Sequence, residues 1–209
     1  MLKVLKGLAV ALMLPLLAQA APFEEGVHYE VIAERGTKKP EVMEYFSFYC
    51  PACNAMENLI VDVKPKLDEG VKFKKSHIDF VGPREPEIQQ VLAQALATAE
   101  VLPQKDKIIA AMFNHIHGKR AKINELADVK DIFIAQGVEE EKFDKLYASF
   151  SVRTKTSKMQ RMQKTLSDKG ALTGVPMFVV NGKYKLLLRE SGTTKPEQIA
   201  ALVNYLAKK

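Results

Sequence analysis

Phe48-Tyr49-Cys50-Pro51-Ala52-Cys53 is the stretch that decides the fold, because it holds the only two cysteines of this 209-residue chain. The run before it, Val42 to Tyr49, is mostly apolar and is typical of a buried strand. The residues after it show apolar positions at helical spacing, namely Met56, Leu59, Ile60, Val63 and Leu67. The two cysteines are therefore predicted to lie where a strand passes into a helix.

This position has a chemical consequence for Cys50, which should occupy the first exposed position of the helix. Backbone N–H groups at a helix start lack helical partners, and the helix dipole favours negative charge there. A Cys50 thiolate, the form that attacks and leaves in disulfide exchange, would be stabilised. Pro51 suits the first turn because its missing N–H costs nothing at that point. The pattern predicts a redox-active dithiol.

Two other interpretations of the cysteine pair stay open at this point. A structural zinc site would need about two more ligands, yet there is no second C-x-x-C, and the four histidines form no standard zinc pattern with the pair. A purely structural disulfide would close so small a loop that it would constrain the unfolded chain very little. We therefore predict no metal and no cofactor.

The N-terminus is predicted to be a signal peptide, residues 1–20. Lys3 and Lys6 charge its beginning, Leu8 to Leu17 form a short apolar core, and Ala18-Gln19-Ala20 is an A-x-A cleavage site. Cleavage after Ala20 would release the mature chain into a compartment where disulfides persist. An uncleaved anchor is the alternative, although the apolar run is short for a membrane span.

Composition sets further limits on the class of protein. The formal net charge is +6 and falls by two when Lys3 and Lys6 are removed. The lysines are spread over many helix faces without a stripe of aromatics, so we predict no nucleic-acid partner. No later apolar run approaches a membrane span, so the mature protein should not be an integral membrane protein. About 190 mature residues can form one domain, or one domain with an insertion.

Two predicted strands each carry a charge among apolar residues. In the strand from Val42 to Phe48, Glu44 points the same way as apolar side chains, and Lys75 does so in the strand from Val71 to Phe80. Buried charges are costly unless they are paired or functional. The alternative is that these are edge strands whose charges reach water.

The rest of the chain divides into a helical and a mixed part. Residues 82–157 show apolar helical stripes, and His115 and His117 beside one stripe are predicted to be surface residues. A long basic helix leads to Gly170. A short strand is predicted near the start of the mature chain, at Tyr29 to Ala33. Two more strands are predicted after Gly170, at Met177 to Val180 and Tyr184 to Leu188, joined by a hairpin turn at Asn181-Gly182. A capping box at Thr194 and Glu197 predicts the start of a final helix.

The segment Glu44-Tyr45-Phe46-Ser47-Phe48-Tyr49-Cys50-Pro51-Ala52-Cys53 resembles the DsbA family of periplasmic thiol:disulfide oxidoreductases from Gram-negative bacteria. Val71-Lys72-Phe73-Lys74-Lys75-Ser76-His77 and the run from Gly174-Val175-Pro176 to Tyr184 match as well. The resemblance spans essentially the whole mature chain. It implies an α/β protein, a thioredoxin fold with an inserted all-helical domain: residues 21–82 and 158–209 would form the thioredoxin-like domain, and residues 83–157 the insertion.

The resemblance also implies roles and partners. Cys50 would be the exposed nucleophile and Cys53 its buried partner, with Pro51 and Ala52 between them. The disulfide would be donated to reduced exported client proteins in the periplasm, and a DsbB-like quinone-linked membrane oxidase would restore it. The protein itself is expected to be a monomer.

Four further residues take supporting roles by the same resemblance. Pro176 would be a cis-proline facing the cysteines, and the backbone of Val175 would pair with an extended client. Glu44 and Lys75 would be a buried acid and base that handle protons.

One position departs from the commonest family pattern, which has Pro-His between the cysteines where this chain has Pro-Ala. Ala52 supplies no imidazole to stabilise a thiolate, which leaves open how oxidising the protein is. Two other functions stay open: a Dsb-type isomerase or reductase, and a periplasmic peptide-binding chaperone with structural cysteines.

Overall fold

The computed structural model describes residues 22–209, so the predicted signal peptide and its cleavage site after Ala20 lie outside the described residues. The chain forms a mixed sheet flanked by helices. The strands are β1 (Tyr29–Val31), β2 (Glu41–Phe46), β3 (Lys72–His77), β4 (Met177–Val180) and β5 (Tyr184–Leu186). The helices are α1 (Pro51–Val63), α2 (Pro86–Ala99), α3 (Lys105–Phe113), α4 (Leu126–Ala135), α5 (Glu140–Tyr147), α6 (Phe150–Asp168) and α7 (Pro196–Ala207).

The sheet places β2, the strand that leads to the cysteines, in its interior. The strand order is β1-β5-β4-β2-β3, and β2 runs parallel to β3 and antiparallel to β4. In this register Glu44 lies beside Lys75 on one side and Phe178 on the other. Asn181 and Gly182 both have positive φ angles, 52° and 63°, as a type I′ turn between β4 and β5 requires.

Helices cover both faces of the sheet. On one face, α1 and α7 pack against Val42, Phe178 and Val180. On the other, Met162 and Leu166 of α6 pack against the cluster that contains Tyr45. The sheet is therefore a middle layer, which explains why side chains on both of its faces are buried.

A helical layer stands at the end of β2 where the cysteines lie. Residues from α2 to α6 form an apolar cluster that continues into Phe46, Phe48, Cys50 and Cys53. The fold class is the predicted one, a thioredoxin fold with an inserted helical segment. The division of the chain at residues 82 and 157 stays a prediction; α6 is continuous from Phe150 to Asp168 and so passes through the second of these points.

Several predicted boundaries were wrong. The strands expected to reach Ala33, Phe80 and Leu188 end at Val31, His77 and Leu186. β2 ends at Phe46 because Cys50 N–H donates to the carbonyl of Ser47, 3.0 Å away, which turns the chain before the helix. The final helix begins at Pro196, and its first turn is closed by Gln198, whose side-chain oxygen lies 3.4 Å from the Lys195 N–H. The capping box predicted at Thr194 and Glu197 is therefore displaced by one residue, since proline favours the first helical position.

Candidate active site

Cys50 is the N-cap of α1, and its sulfur is the centre of the site. The backbone N–H of Cys53 donates to Cys50 Sγ, 3.2 Å away. The Cys50 thiol in turn lies 3.6 Å from the carbonyl oxygen of Val175, to which it donates. Both cysteines are in the thiol form. The sulfur thus accepts from a backbone N–H at the start of α1 and lies beside the Val175 loop.

The two cysteines differ less in burial than expected. Only 5% of Cys50 is exposed, against 0% of Cys53, so the expectation of an exposed Cys50 was wrong for this reduced form. The loop that carries Val175 covers Cys50, while Pro51 and Ala52 stay exposed beside it. Burial, together with the hydrogen bond to Cys50, raises the pKa of the Cys53 thiol. Cys53 therefore holds its proton much more firmly than a free cysteine does.

The Val175–Pro176 peptide bond is cis, as the resemblance implied. The carbonyl of Val175 faces Cys50, as the contact at 3.6 Å shows. A groove of about 660 Å³ begins at this loop; its lining includes Ala52, Met56, Leu59, Val175, Pro176, Phe178, Leu186 and Leu188. The largely apolar groove thus runs from beside the cysteines along the sheet.

Glu44 and Lys75 are brought together, as the resemblance implied. Lys75 Nζ donates to Glu44 and also to Glu57 of α1. β2 has a neighbouring strand on each side, and the Glu44 side chain is 0% exposed. The edge-strand alternative was therefore wrong for Glu44. Lys75 does lie on the edge strand β3, but its side chain is only 5% exposed.

This cluster holds two carboxylates and one ammonium group, and its protonation follows from that imbalance. Burial raises the pKa of Glu44 to about 7, even though the charge of Lys75 acts to lower it. Burial acts to lower the pKa of Lys75, but Glu44 and Glu57 outweigh it, so the pKa of Lys75 is raised. A proton on Glu44 leaves the buried cluster neutral, which agrees with the direction in which its pKa moves.

Glu57 is a residue that the sequence reasoning missed. It lies four residues after Cys53 on α1, which places both on one face of that helix. The four-residue spacing could have indicated that Glu57 is partly buried, because the helix face that carries Cys53 was already predicted to point inward. Glu57 was overlooked because a single acid in an amphipathic helix is normally solvated.

Two histidines contact the turn before the cysteines, and the sequence prediction for one of them was wrong. His117 was expected at the surface, but its Nε2 lies 2.8 Å from the carbonyl oxygen of Phe48, and its ring stacks on Phe113. His77 is buried, and burial lowers its pKa to about 3. Its Nε2 accepts from the backbone N–H of Phe48, 3.3 Å away.

Within residues 22–209, no group of three or more His, Cys, Asp and Glu side chains is placed to hold a metal ion. The same part of the chain contains no helix that is both long and apolar enough to cross a membrane.

A model of the DSBA-like thioredoxin domain family matches residues 41–204. The thiol:disulfide interchange protein DsbA of Escherichia coli (strain K12) is 33% identical over 205 residues, which cover 95% of each chain. DsbA of Pectobacterium carotovorum subsp. carotovorum is 35% identical over 180 residues, 85% of this chain and 83% of that one.

Solved structures of DsbA proteins are also similar to this chain. A complex of a Proteus mirabilis DsbA variant with a non-covalently bound peptide, PWATCDS, superposes with a TM-score of 0.77 at 29% identity. The match covers 90% of this chain and all of that one. The Klebsiella pneumoniae DsbA disulfide interchange protein matches with a TM-score of 0.76 at 27% identity, over 91% of this chain and 100% of that chain.

Proposed function

The chain belongs to the family of DSBA-like thioredoxin domains, and from this premise we propose that it is a thiol:disulfide oxidoreductase that donates its Cys50–Cys53 disulfide to exported proteins as they fold. The observation that carries the assignment of roles is the contact of Cys50 Sγ with the N–H of Cys53 at the start of α1. A sulfur at this place leaves readily as a thiolate.

The exchange takes two steps. A client thiolate attacks Cys50 Sγ of the oxidised protein; the new S–S bond forms as the Cys50–Cys53 bond breaks, and Cys53 departs with the electron pair and takes up a proton. A second client thiolate then attacks the client sulfur of the mixed disulfide, and Cys50 leaves as a thiolate. The client loses two electrons, which reduce the cysteine pair.

Glu44, Lys75 and Glu57 supply the proton in this proposal. Burial raises the pKa of Cys53, so its leaving thiolate needs a proton at once. Glu57 lies four residues after Cys53 on α1 and is bonded to Lys75, which brings the cluster to the face of the helix that carries Cys53. Glu44, whose pKa is raised to about 7, holds a proton that it can give up near neutral pH.

The loop of Val175 and Pro176 and the adjacent groove are the proposed client site. The Val175 backbone lies beside Cys50, where an extended client segment could pair with it and present its own cysteine. Leu59 and Phe178 in the groove offer an apolar surface for neighbouring side chains. The similarity to the Proteus mirabilis protein, which was solved with a bound peptide, supports this placement.

The cellular setting is part of the same proposal. Cleavage after Ala20 would release a monomer into the periplasm, where a DsbB-like quinone-linked membrane oxidase would restore the disulfide.

The test is oxidative refolding of reduced ribonuclease A with a catalytic amount of this protein and glutathione disulfide as oxidant. We expect refolding to be accelerated, Cys50→Ser to abolish the acceleration, and Cys53→Ser to accumulate mixed disulfides bonded through Cys50. The variant Ala201→Ser, at an exposed position of α7 outside the groove, is the control and should keep the acceleration. Full acceleration by Cys50→Ser would refute the proposal.

A further inference from the structure

Two imidazoles hold the backbone of Phe48 from opposite sides. His77, at the end of β3, accepts the Phe48 N–H at Nε2 over 3.3 Å. His117, in the π-helical turn Asn114–Gly118 that follows α3, lies 2.8 Å from the Phe48 carbonyl oxygen through its own Nε2. One residue is thus bonded to the sheet through one histidine and to the helical layer through the other.

The two contacts require opposite tautomers. Nε2 of His77 can accept only when it carries no hydrogen, so this neutral ring has its hydrogen on Nδ1. Its burial, with a pKa of about 3, keeps the ring neutral at physiological pH. A carbonyl oxygen can only accept, so Nε2 of His117 carries a hydrogen and donates it.

The turn held in this way is the one that delivers Cys50. Cys50 N–H donates to Ser47 O at 3.0 Å. The Ser47 hydroxyl accepts from Tyr49 N–H at 3.1 Å and donates to Val81 O at 2.9 Å. Phe48 is the remaining residue of the turn, and the two histidines hold both of its backbone polar groups.

We propose that His117 is a positioning residue for the dithiol: through the Phe48 carbonyl it fixes the turn that keeps Cys50 Sγ on the Cys53 N–H. The inference rests on the proposed function. In the oxidised protein the S–S bond itself holds Cys50 in place. In the reduced protein only the turn and hydrogen bonds do so, and therefore loss of the His117 bond should weaken the reduced form selectively.

The reduction potential separates positioning from plain structural support. A structural contact stabilises the reduced and the oxidised forms alike, and its loss leaves their ratio unchanged. A positioning contact stabilises the reduced form more, and its loss shifts the ratio towards the disulfide.

The experiment compares the glutathione equilibrium of wild type with those of His117→Leu, His117→Gln and His115→Leu. We expect His117→Leu to shift the equilibrium about tenfold towards the oxidised protein, which corresponds to about 30 mV for a two-electron couple. His117→Gln, whose amide can donate to the same carbonyl, should restore most of the shift. His115 lies in the same turn but contacts Lys122 O at 3.3 Å, so His115→Leu should leave the equilibrium unchanged. An unchanged equilibrium in folded His117→Leu would overturn the proposal.

A second measurement uses only the wild-type protein and therefore tests the His117 hydrogen bond even if His117→Leu does not fold. Long-range ¹H–¹⁵N spectra of the wild-type side chains should show hydrogen on Nε2 of His117 and on Nδ1 of His77. Hydrogen on Nδ1 alone in His117 would refute the bond. Neither measurement involves a client protein, so failure of ribonuclease refolding would count against the proposed function and leave the positioning role standing.

Discussion

Ala52 is the residue at which this chain departs from the Pro-His dipeptide commonest among its family, and it is exposed beside Cys50. Without an imidazole at this position, stabilisation of a thiolate falls to the start of α1. The donor seen there is the N–H of Cys53. The stability of the reduced form thus depends on backbone geometry more than on a neighbouring side chain.

Ala52→His should make the protein more oxidising. A protonated imidazole beside Cys50 would favour the thiolate and therefore the reduced form. A tenfold gain in the glutathione equilibrium constant, about 30 mV, is the expected size. Ala52→Gln is the matched control, since it adds bulk without the positive charge. A histidine variant with an unchanged or lower potential would refute this account of position 52.

Glu44→Gln should alter how stability depends on pH. The folded pKa of Glu44, about 7, lies above its ordinary value of 4.5, so the folded state binds the proton more tightly. Stability from this group is therefore fully present at low pH and is lost as pH rises through about 4.5 to 7. Relative to Glu44→Gln, the wild type should lose up to about 1.4 kcal/mol per pH unit in that window.

Urea unfolding of the reduced forms at pH 5, 6, 7 and 8 measures this difference. The contribution of His77, which has the opposite sign because its pKa is lowered, is present in both proteins and cancels in the subtraction. A difference that stays flat, or that favours the wild type as pH rises, would contradict the raised pKa of Glu44.

At the scale of elements, patterns in the sequence predicted which strands and helices form but not the residues at which they end. The apolar run predicted β2, and the helical spacing after Cys53 predicted α1. The end of β2 at Phe46 could not be predicted, since it is set by the turn that Cys50 N–H closes on Ser47 O. The start of α6 was also not predicted. Phe150 continues the helical spacing of Phe143, Leu146 and Tyr147 in sequence and was expected in their helix, but it is the first residue of α6 and is 77% exposed.

α7 provides an element that supports the fold without touching the cysteine turn. Leu202 is 0% exposed in the cluster formed by α1, α7 and the sheet. Leu202→Ala should cost about 2–5 kcal/mol in the free energy of unfolding, because it removes buried methyl groups and leaves a cavity. Urea unfolding of both redox forms measures the cost.

The glutathione equilibrium of Leu202→Ala should match that of the wild type, since the reduced and oxidised forms lose the same packing. A potential that moved by as much as in His117→Leu would show that general destabilisation is enough to change the redox equilibrium.

Across the whole molecule, the sequence was most informative where residues close in the chain act together. The cysteine pair was predicted from its own surroundings in the sequence. The Val175–Pro176 loop and the Glu44–Lys75 pair join distant positions and were predicted only through resemblance to a known family. His117 could not be predicted, because it reaches Phe48 across 69 positions of sequence from another layer of the fold. The near-complete burial of Cys50 also depends on a distant segment, the loop of Val175.

The central claim is that the Cys50–Cys53 disulfide is an oxidant, because the start of α1 stabilises the reduced form. Its most direct test is the reduction potential of the wild type, measured by equilibration with reduced and oxidised glutathione. We predict a potential at or above about −180 mV, in the range of proteins that give disulfides to others. A value of about −270 mV or below, in the range of reductants and structural disulfides, would contradict the claim.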